Sequence, residues 1–522
     1  MLRFVTLDRR RFLAGTAAGA LVATGPRALR AADQPKVLRV RSYSDIAVLD
    51  PAYRLAAPED DIFRCLLPAL ISYKPSTDRW EWEPEAADEI RQVDDTTIAF
   101  RLKPGWQWTG GFGELTAEDV KFSFERIADP ANKSPYHDDW SALDRVEVTG
   151  PYTGTIKLKQ LFAPLWSTTL PVGSGRIVCK KAVEALPDRK ITTTVPASCG
   201  PYLLAEWQPK QRTVLRRNPD YKGPQPYFDE VHIHPIDDEK IAEVGFQAGE
   251  LDFTGIGLST LAGYKGQAPK GGALIDKPSL AYIWLGMNVE HANLKDERVR
   301  KAIQRAVDVD AALEAAYFGQ AERATGLVAP GLVGHRDRNL TQHDPAEAKR
   351  LLGEAGAKSL RLTMHLLNKT EHLAMAQVIQ GSLGEVGVEV ELVPLDSGSF
   401  WTLGDEKSGD RWKTVQLQLG RFSMNPDPAW ATVWFTPEQI GVWNWERWNS
   451  PEFGRLHEQG LHERDPKARD ALYRHMQDLM EESGAYLFLT HGASAFIHRA
   501  DLQPALWPDG KPVFSRFRMA GA

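Results

Sequence analysis

Along the chain, short segments that alternate apolar and polar residues are separated by longer ones with apolar positions three or four apart. This rhythm predicts an α/β protein. Residues 36–43 read as a first strand, with Val37, Leu38 and Val40 apolar. Thr97–Leu102 alternates with period two, as a half-buried strand should, and stops at the turn signal Lys103-Pro104-Gly105. Thr116-Ala117-Glu118-Asp119 then opens a helix, because the Thr116 hydroxyl can accept from the N3 amide while Asp119 reaches back. Val120, Phe124 and Ile127 fall on one face of that helix.

Later in the chain, Asp296 begins a helix whose Val299, Ile303, Ala306 and Val307 form one stripe, predicted to close near Gly319. Asp344-Pro345-Ala346-Glu347 is a second start, with a capping Asp, Pro in the first turn, and Gly356 as a stop. Residues 371–386 predict a third helix, and residues 388–393 alternate as the strand that follows. Two regions break the rhythm. Residues 263–279 are rich in Gly, Lys and Pro and read as a linker or exposed loop. Residues 401–450 hold seven tryptophans, from Trp401 to Trp448.

Length changes the picture from one core to several, since 522 residues exceed what one hydrophobic core usually serves. The first 32 residues read as a secretory signal: Arg9-Arg10-Arg11-Phe12-Leu13, an apolar run to Ala23, then small residues to Ala32. Paired arginines before Phe-Leu resemble twin-arginine signals, which export folded proteins in bacteria. The apolar run is shorter than the roughly 20 residues a spanning helix needs. The mature chain is therefore expected to be soluble in the periplasm. The whole chain carries −6 and residues 1–32 contribute +5, leaving −11 on the remainder without long single-sign runs. That argues against nucleic-acid partners and anionic membranes, which need basic patches. Cys179 and Cys199 are close enough in sequence to pair in an oxidising compartment, or they are buried thiols together with Cys65.

Motifs for catalysis are missing. No Gly-x-Ser-x-Gly elbow, His-Glu-x-x-His helix or phosphate-cradling loop occurs, so no enzymatic activity and no cofactor are expected. Gly255-Ile256-Gly257 lacks the third glycine of a dinucleotide pattern, and Gly173-Ser174-Gly175 reads as a turn. His232 and His234 lie on one face of a strand but have no third metal ligand near in sequence, and His335 and His343 are equally unspecific.

Several stretches, taken in order, resemble the family 5 solute-binding proteins, a group that includes dipeptide-, oligopeptide- and nickel-binding periplasmic proteins. They are Leu49-Asp50-Pro51, residues 100–105 with 115–120, Gly200-Pro201-Tyr202, residues 217–221, residues 296–303 and residues 344–356. The resemblance implies a two-lobed periplasmic-binding-protein fold (type II, cluster C) with a small extra domain inserted in the first lobe. Lobe I would take residues 33–72, 191–280 and 486–522, domain II residues 73–190, and lobe III residues 281–485. It also implies ligand capture by hinge closure, and delivery to the transmembrane and ATPase subunits of an ABC permease by a monomeric binding protein.

In peptide-binding relatives an aspartate in a strand-to-loop segment of lobe III holds the peptide ammonium. That segment looks like residues 416–428 here, and matching its Asp-Pro to Asp427-Pro428 puts Met424 at the aspartate's position. A thioether cannot offset a buried ammonium. Arg421 nearby offers a planar, permanently charged fork suited to a carboxylate or phosphate, or it belongs to an ion pair. The candidate ligand-binding residues are Tyr43 and Asp45 on lobe I, and Trp401, Gln418, Arg421, Phe422, Ser423, Met424 and Trp443 on lobe III. The expected ligand is a small anionic or neutral organic solute: peptide-like, opine-like, amino-acid-derived or a short saccharide. A peptide proper, or a metal complex, is the alternative.

Overall fold

The computed structural model describes residues 35–521, apart from 56, 193, 265 and 358. The signal expected over residues 1–32 lies outside the described residues.

Two large sheets organise the molecule. The first has seven strands, in spatial order Tyr202–Gln208, Arg212–Arg217, Glu230–Pro235, Val37–Ser42, Phe253–Ile256, Ala493–Arg499 and Gly272–Pro278. Val37–Ser42 runs parallel to Glu230–Pro235 in a register that sets Val40 against Ile233. Its alternation buries Leu38 and Val40 completely, as the apolar pattern predicts. The second sheet has five strands, in the order Val388–Leu395, Leu360–Leu367, Leu417–Ser423, Ala281–Met287 and Tyr486–Thr490. Each sheet has its own core, so the fold is two-lobed and α/β.

A smaller four-stranded sheet, Ala87–Asp94, Thr97–Leu102, Thr153–Leu158 and Leu143–Gly150, precedes most of the first lobe in sequence. The helix Ala117–Ala128 packs on it through buried Val120, Phe124 and Ile127. The capping box at Thr116 and Asp119 is present, and the same carboxylate also accepts from Trp108 Nε1 at 3.3 Å. Arg126 on this helix forms a buried double hydrogen bond to Asp50 (2.9 and 2.6 Å), which ties the small domain to the first lobe.

Three expectations are corrected. Residues 263–279 are not a linker throughout, because Gly272–Pro278 is a strand paired antiparallel to Ala493–Arg499. It lies at the sheet edge, where Lys277 and Pro278 are tolerated because one side needs no partner. The helix begun at Asp296 ends at Ala306. Asp308 then caps a second helix, Val309–Tyr317, by accepting from the Ala311 amide. Finally, Tyr486–Thr490 pairs with Ala281–Met287 in the second sheet, so the chain returns to the first lobe at residues 491–492 and not before 486.

The chain thus crosses between the sheets twice, at residues 279–280 and 491–492. Buried His491 donates from Nδ1 to the Ala281 carbonyl oxygen at 3.0 Å, stitching the two crossings together. Cys65, Cys179 and Cys199 are all free and buried. Burial pushes the Cys65 thiol up to about 12 and Cys179 up to about 11. No helix among the described residues is long and apolar enough to cross a membrane.

Candidate functional site

The strand Leu417–Ser423 carries most of the candidate residues, and its pleat decides which of them can act together. Leu417, Leu419 and Arg421 point to one face of the five-stranded sheet, and Gln418, Gly420 and Phe422 to the other. On the first face Leu417 and Leu419 join an aliphatic core with Ile283, Leu285 and Met287 under the helices Glu297–Ala306, Val309–Tyr317 and Thr370–Glu385. On the second face the partners are aromatic. Gly420 sits against Trp284, where a Cβ would fall 2.5 Å from the indole.

Phe422 is the centre of that aromatic face. Its ring lies 5.1 Å from Trp284, 5.8 Å from Trp401 in a stack, and 5.9 Å from Trp443 edge-on. Trp434 is 6.3 Å from Phe422 and 6.0 Å from Trp443. Trp401 comes from the short helix Ser397–Trp401, capped by Asp396, which accepts from the Ser399 amide at 3.0 Å. Trp434 and Trp443 come from the loop after Met424, held by buried Asn444, whose Nδ2 donates to the carbonyl oxygens of Phe435 and Trp448 (3.1 and 3.0 Å). Trp401, Phe422, Trp434 and Trp443 are half-buried, so their edges and faces form a wall with solvent on one side. Such rings suit planar, apolar or sugar groups.

Arg421, leaving the sheet on the aliphatic side, makes no hydrogen bond or ion pair among the described residues and is half-buried. It lies close enough to His372 and Tyr317 for its charge to act on both. Burial pushes His372 down to about 4, so the ring is neutral at pH 7. Both its nitrogens are buried without partners. Burial likewise pushes the Tyr317 hydroxyl up. His372 and Tyr317 are buried, so of the three groups half-buried Arg421 is the one that can present charge-assisted donors to a solute carboxylate.

Three candidates are placed differently from the expectation. Gln418 is buried: its Nε2 donates to Glu446 Oε1 at 2.5 Å, beside Trp284 Nε1 donating to the same oxygen at 2.8 Å. It supports the aromatic face from behind and does not reach the surface. Met424 is 3% exposed and packs into the core beneath the aromatic face. Asp45 is committed within its own lobe, accepting from Trp207 Nε1 (3.1 Å) and the Lys210 amide (2.6 Å). Tyr43 is exposed beside Ala57, and Ser423 is exposed at the strand end.

The acid nearest the ammonium position is also accounted for. Asp427 is 1% exposed and takes a two-pronged grip from Arg469 (2.7 and 2.9 Å), with Ser167 of the small domain donating to Oδ2 at 2.6 Å. It has no capacity left for a ligand ammonium. Sequence reasoning missed Glu446, His372, Tyr317 and Trp284. A signal for His372 exists: with Met375, Ala376, Ile379 and Leu383 it completes the buried stripe of its helix. Among the described residues no group of three metal-ligating side chains comes together. His232 instead pairs with Glu230 at 2.9 Å.

Two α/β lobes are joined by two crossing segments, and the second lobe carries a half-exposed aromatic wall on one sheet face and, on the other, Arg421 with no partner among the described residues. Residues 81–440 match the bacterial extracellular solute-binding proteins, family 5 (middle portion), and the chain belongs to that family. A probable di/tripeptide-binding protein of Pseudomonas aeruginosa is 27% identical over 429 residues, covering 77% of this chain and 79% of the relative. The glutathione-binding protein GsiB of Escherichia coli is 24% identical over 407 residues, covering 76% and 77%. Among solved structures, the ABC transporter substrate-binding protein CtaP of Listeria monocytogenes superposes with a TM-score of 0.82 at 21% identity, covering 93% of this chain and 99% of that one.

Proposed function

We propose that this chain is the periplasmic binding subunit of an ABC importer, and that its ligand is a small organic solute with an anionic group and a planar or apolar body. Similarity to a probable di/tripeptide-binding protein and to a glutathione-binding protein supports the importer role. The observation that carries the ligand class is the charge pattern at the end of Leu417–Ser423. Met424 is buried where the resemblance puts an aspartate, Asp427 is consumed by Arg469, and Arg421 has no hydrogen-bond or ion-pair partner among the described residues. A solute held by its carboxylate fits this pattern better than a peptide held by its amino terminus. Arg421 would take the carboxylate near the end of Leu417–Ser423. The rings of Trp401, Phe422 and Trp443 lie on the opposite face of that strand, so the solute's body would meet them only by passing the strand end, and closure of the lobes would exclude water. Such a protein needs a closed state that the ligand stabilises over the open one, and no catalytic group. The Arg9-Arg10-Arg11-Phe12-Leu13 sequence supports export by the twin-arginine route.

Mass spectrometry of whatever co-purifies with the protein tests the reading directly. A carboxylated solute without a required free amine is the expected result. A linear peptide whose N-acetylated form no longer binds would overturn it in favour of a peptide carrier.

A further inference from the structure

A cavity lies away from the aromatic wall, where the first lobe, the small domain and the C-terminal segment meet. Its volume is about 600 Å³, within the range of small-molecule sites. Five cations line it: Arg64, Lys103, Arg176, Lys222 and Arg516. Only two carboxylates, Glu83 and Glu85, stand among them. An adjoining cavity of about 400 Å³ shares Glu83 and Arg516 and adds Lys74 and Arg518. This concentration of positive charge sits in a chain whose formal net charge is −6.

Three of the five cations are paired with carboxylates, and Lys103 and Lys222 are in no ion pair among the described residues. Glu85 is bound to Arg176 Nη1 at 3.1 Å and also accepts from the Ala69 amide at 3.3 Å. Glu83 is bound to Arg516 at 3.2 Å. Lys103 donates only to the Glu85 backbone carbonyl at 2.8 Å, and Lys222 is exposed with no partner among the described residues. Arg176 is 2% exposed, and its Nη2 is buried without a hydrogen-bond partner. Arg64 is committed to Asp61 and lies over the Trp507 ring at 4.5 Å. Burying an arginine donor without an acceptor costs free energy, and an anion in the cavity would supply that acceptor.

We infer that this cavity binds a phosphate-type dianion, with Lys103, Lys222 and Arg516 as the groups that take its charge. Arginine forks and ammonium groups at a concave wall are the chemistry that recognises tetrahedral oxyanions, whether free or carried on a lipid headgroup. The site is separate from the solute site proposed above and does not depend on it.

Calorimetric titration of the mature protein with inorganic phosphate, at constant ionic strength against chloride, tests the assignment. A parallel arm measures cosedimentation with vesicles containing an anionic phospholipid. Saturable phosphate binding is expected, reduced at least roughly tenfold in Lys222→Gln/Arg516→Gln and, to a smaller degree, in Lys103→Gln. All three positions are at least partly exposed, and circular dichroism confirms that the variants fold. Vesicle binding that the double variant loses would name the headgroup as the source of the phosphate. Absence of binding in both arms overturns the proposal, as does binding that the double variant retains in full.

Discussion

The two faces of the five-stranded sheet are made from the same strands yet do opposite work. One face presents Leu417, Leu419, Ile283 and Leu285 to helices and closes over them, leaving Arg421 half-buried at its end. The other presents Phe422, Trp284 and Tyr282 to a loop of tryptophans and stays half open at its edge. The aliphatic face is finished by burial alone. The aromatic face needs polar supports behind it: Glu446 holds Trp284 and Gln418, and Asp427 holds Arg469 under the loop. A wall that must contact a solute cannot be sealed by packing, so buried hydrogen bonds fix its geometry instead.

The largest test of this contrast is Asp427→Ala. It strands Arg469 inside the aromatic half and should cost about 3–5 kcal/mol, read as a lower midpoint in urea unfolding. A loss below about 1 kcal/mol would show that Arg469 can reach water and that the support is dispensable.

Glu446 gives a pH signature of the next size. Burial raises its carboxyl to about 7, so the folded state holds a proton that the unfolded chain releases near its ordinary value of 4.5. The stability this proton supplies is present below about pH 4.5 and is lost as pH rises through about 7, by a few kcal/mol. Glu446→Gln should flatten that part of the stability–pH curve, and an unchanged slope would place the titration elsewhere.

Arg421→Ala tests the single charge at the end of the aliphatic face. It should weaken solute binding at least tenfold, about 1.4 kcal/mol, with little loss of stability because no partner is stranded. Equal affinity in titration calorimetry would remove Arg421 from the site. The smallest effect belongs to His232→Ala with His234→Ala, on the first lobe. Neither solute nor nickel affinity should change, and a lost nickel signal would reopen a metal role for that strand.

Much of the scaffold is written locally. The capping box at Thr116, the caps at Asp296 and Asp344, and the alternation of Thr97–Leu102 each rest on residues within five positions of one another, so sequence reasoning reaches them. Gly272–Pro278 escaped because an edge strand needs few apolar residues, and its partner lies more than 200 residues away. The site was legible in part. Phe422, Trp401 and Trp443 do gather, while Gln418 turns inward to Glu446, a contact that depends on how a distant loop folds back. Arg421 and Phe422 read as neighbours in sequence, yet the pleat sends them to opposite faces.

The late return of the chain to the first lobe has a consequence for biosynthesis. Ala493–Arg499 is an interior strand, seated between Phe253–Ile256 and Gly272–Pro278. A ribosome has therefore made all of the second lobe before the first can complete its sheet. A product truncated near residue 490 would keep the strands of the second lobe beside a first lobe whose five-strand sheet ends at Phe253–Ile256 and whose edge strand Gly272–Pro278 has no partner. Its exposed strand edges would invite aggregation.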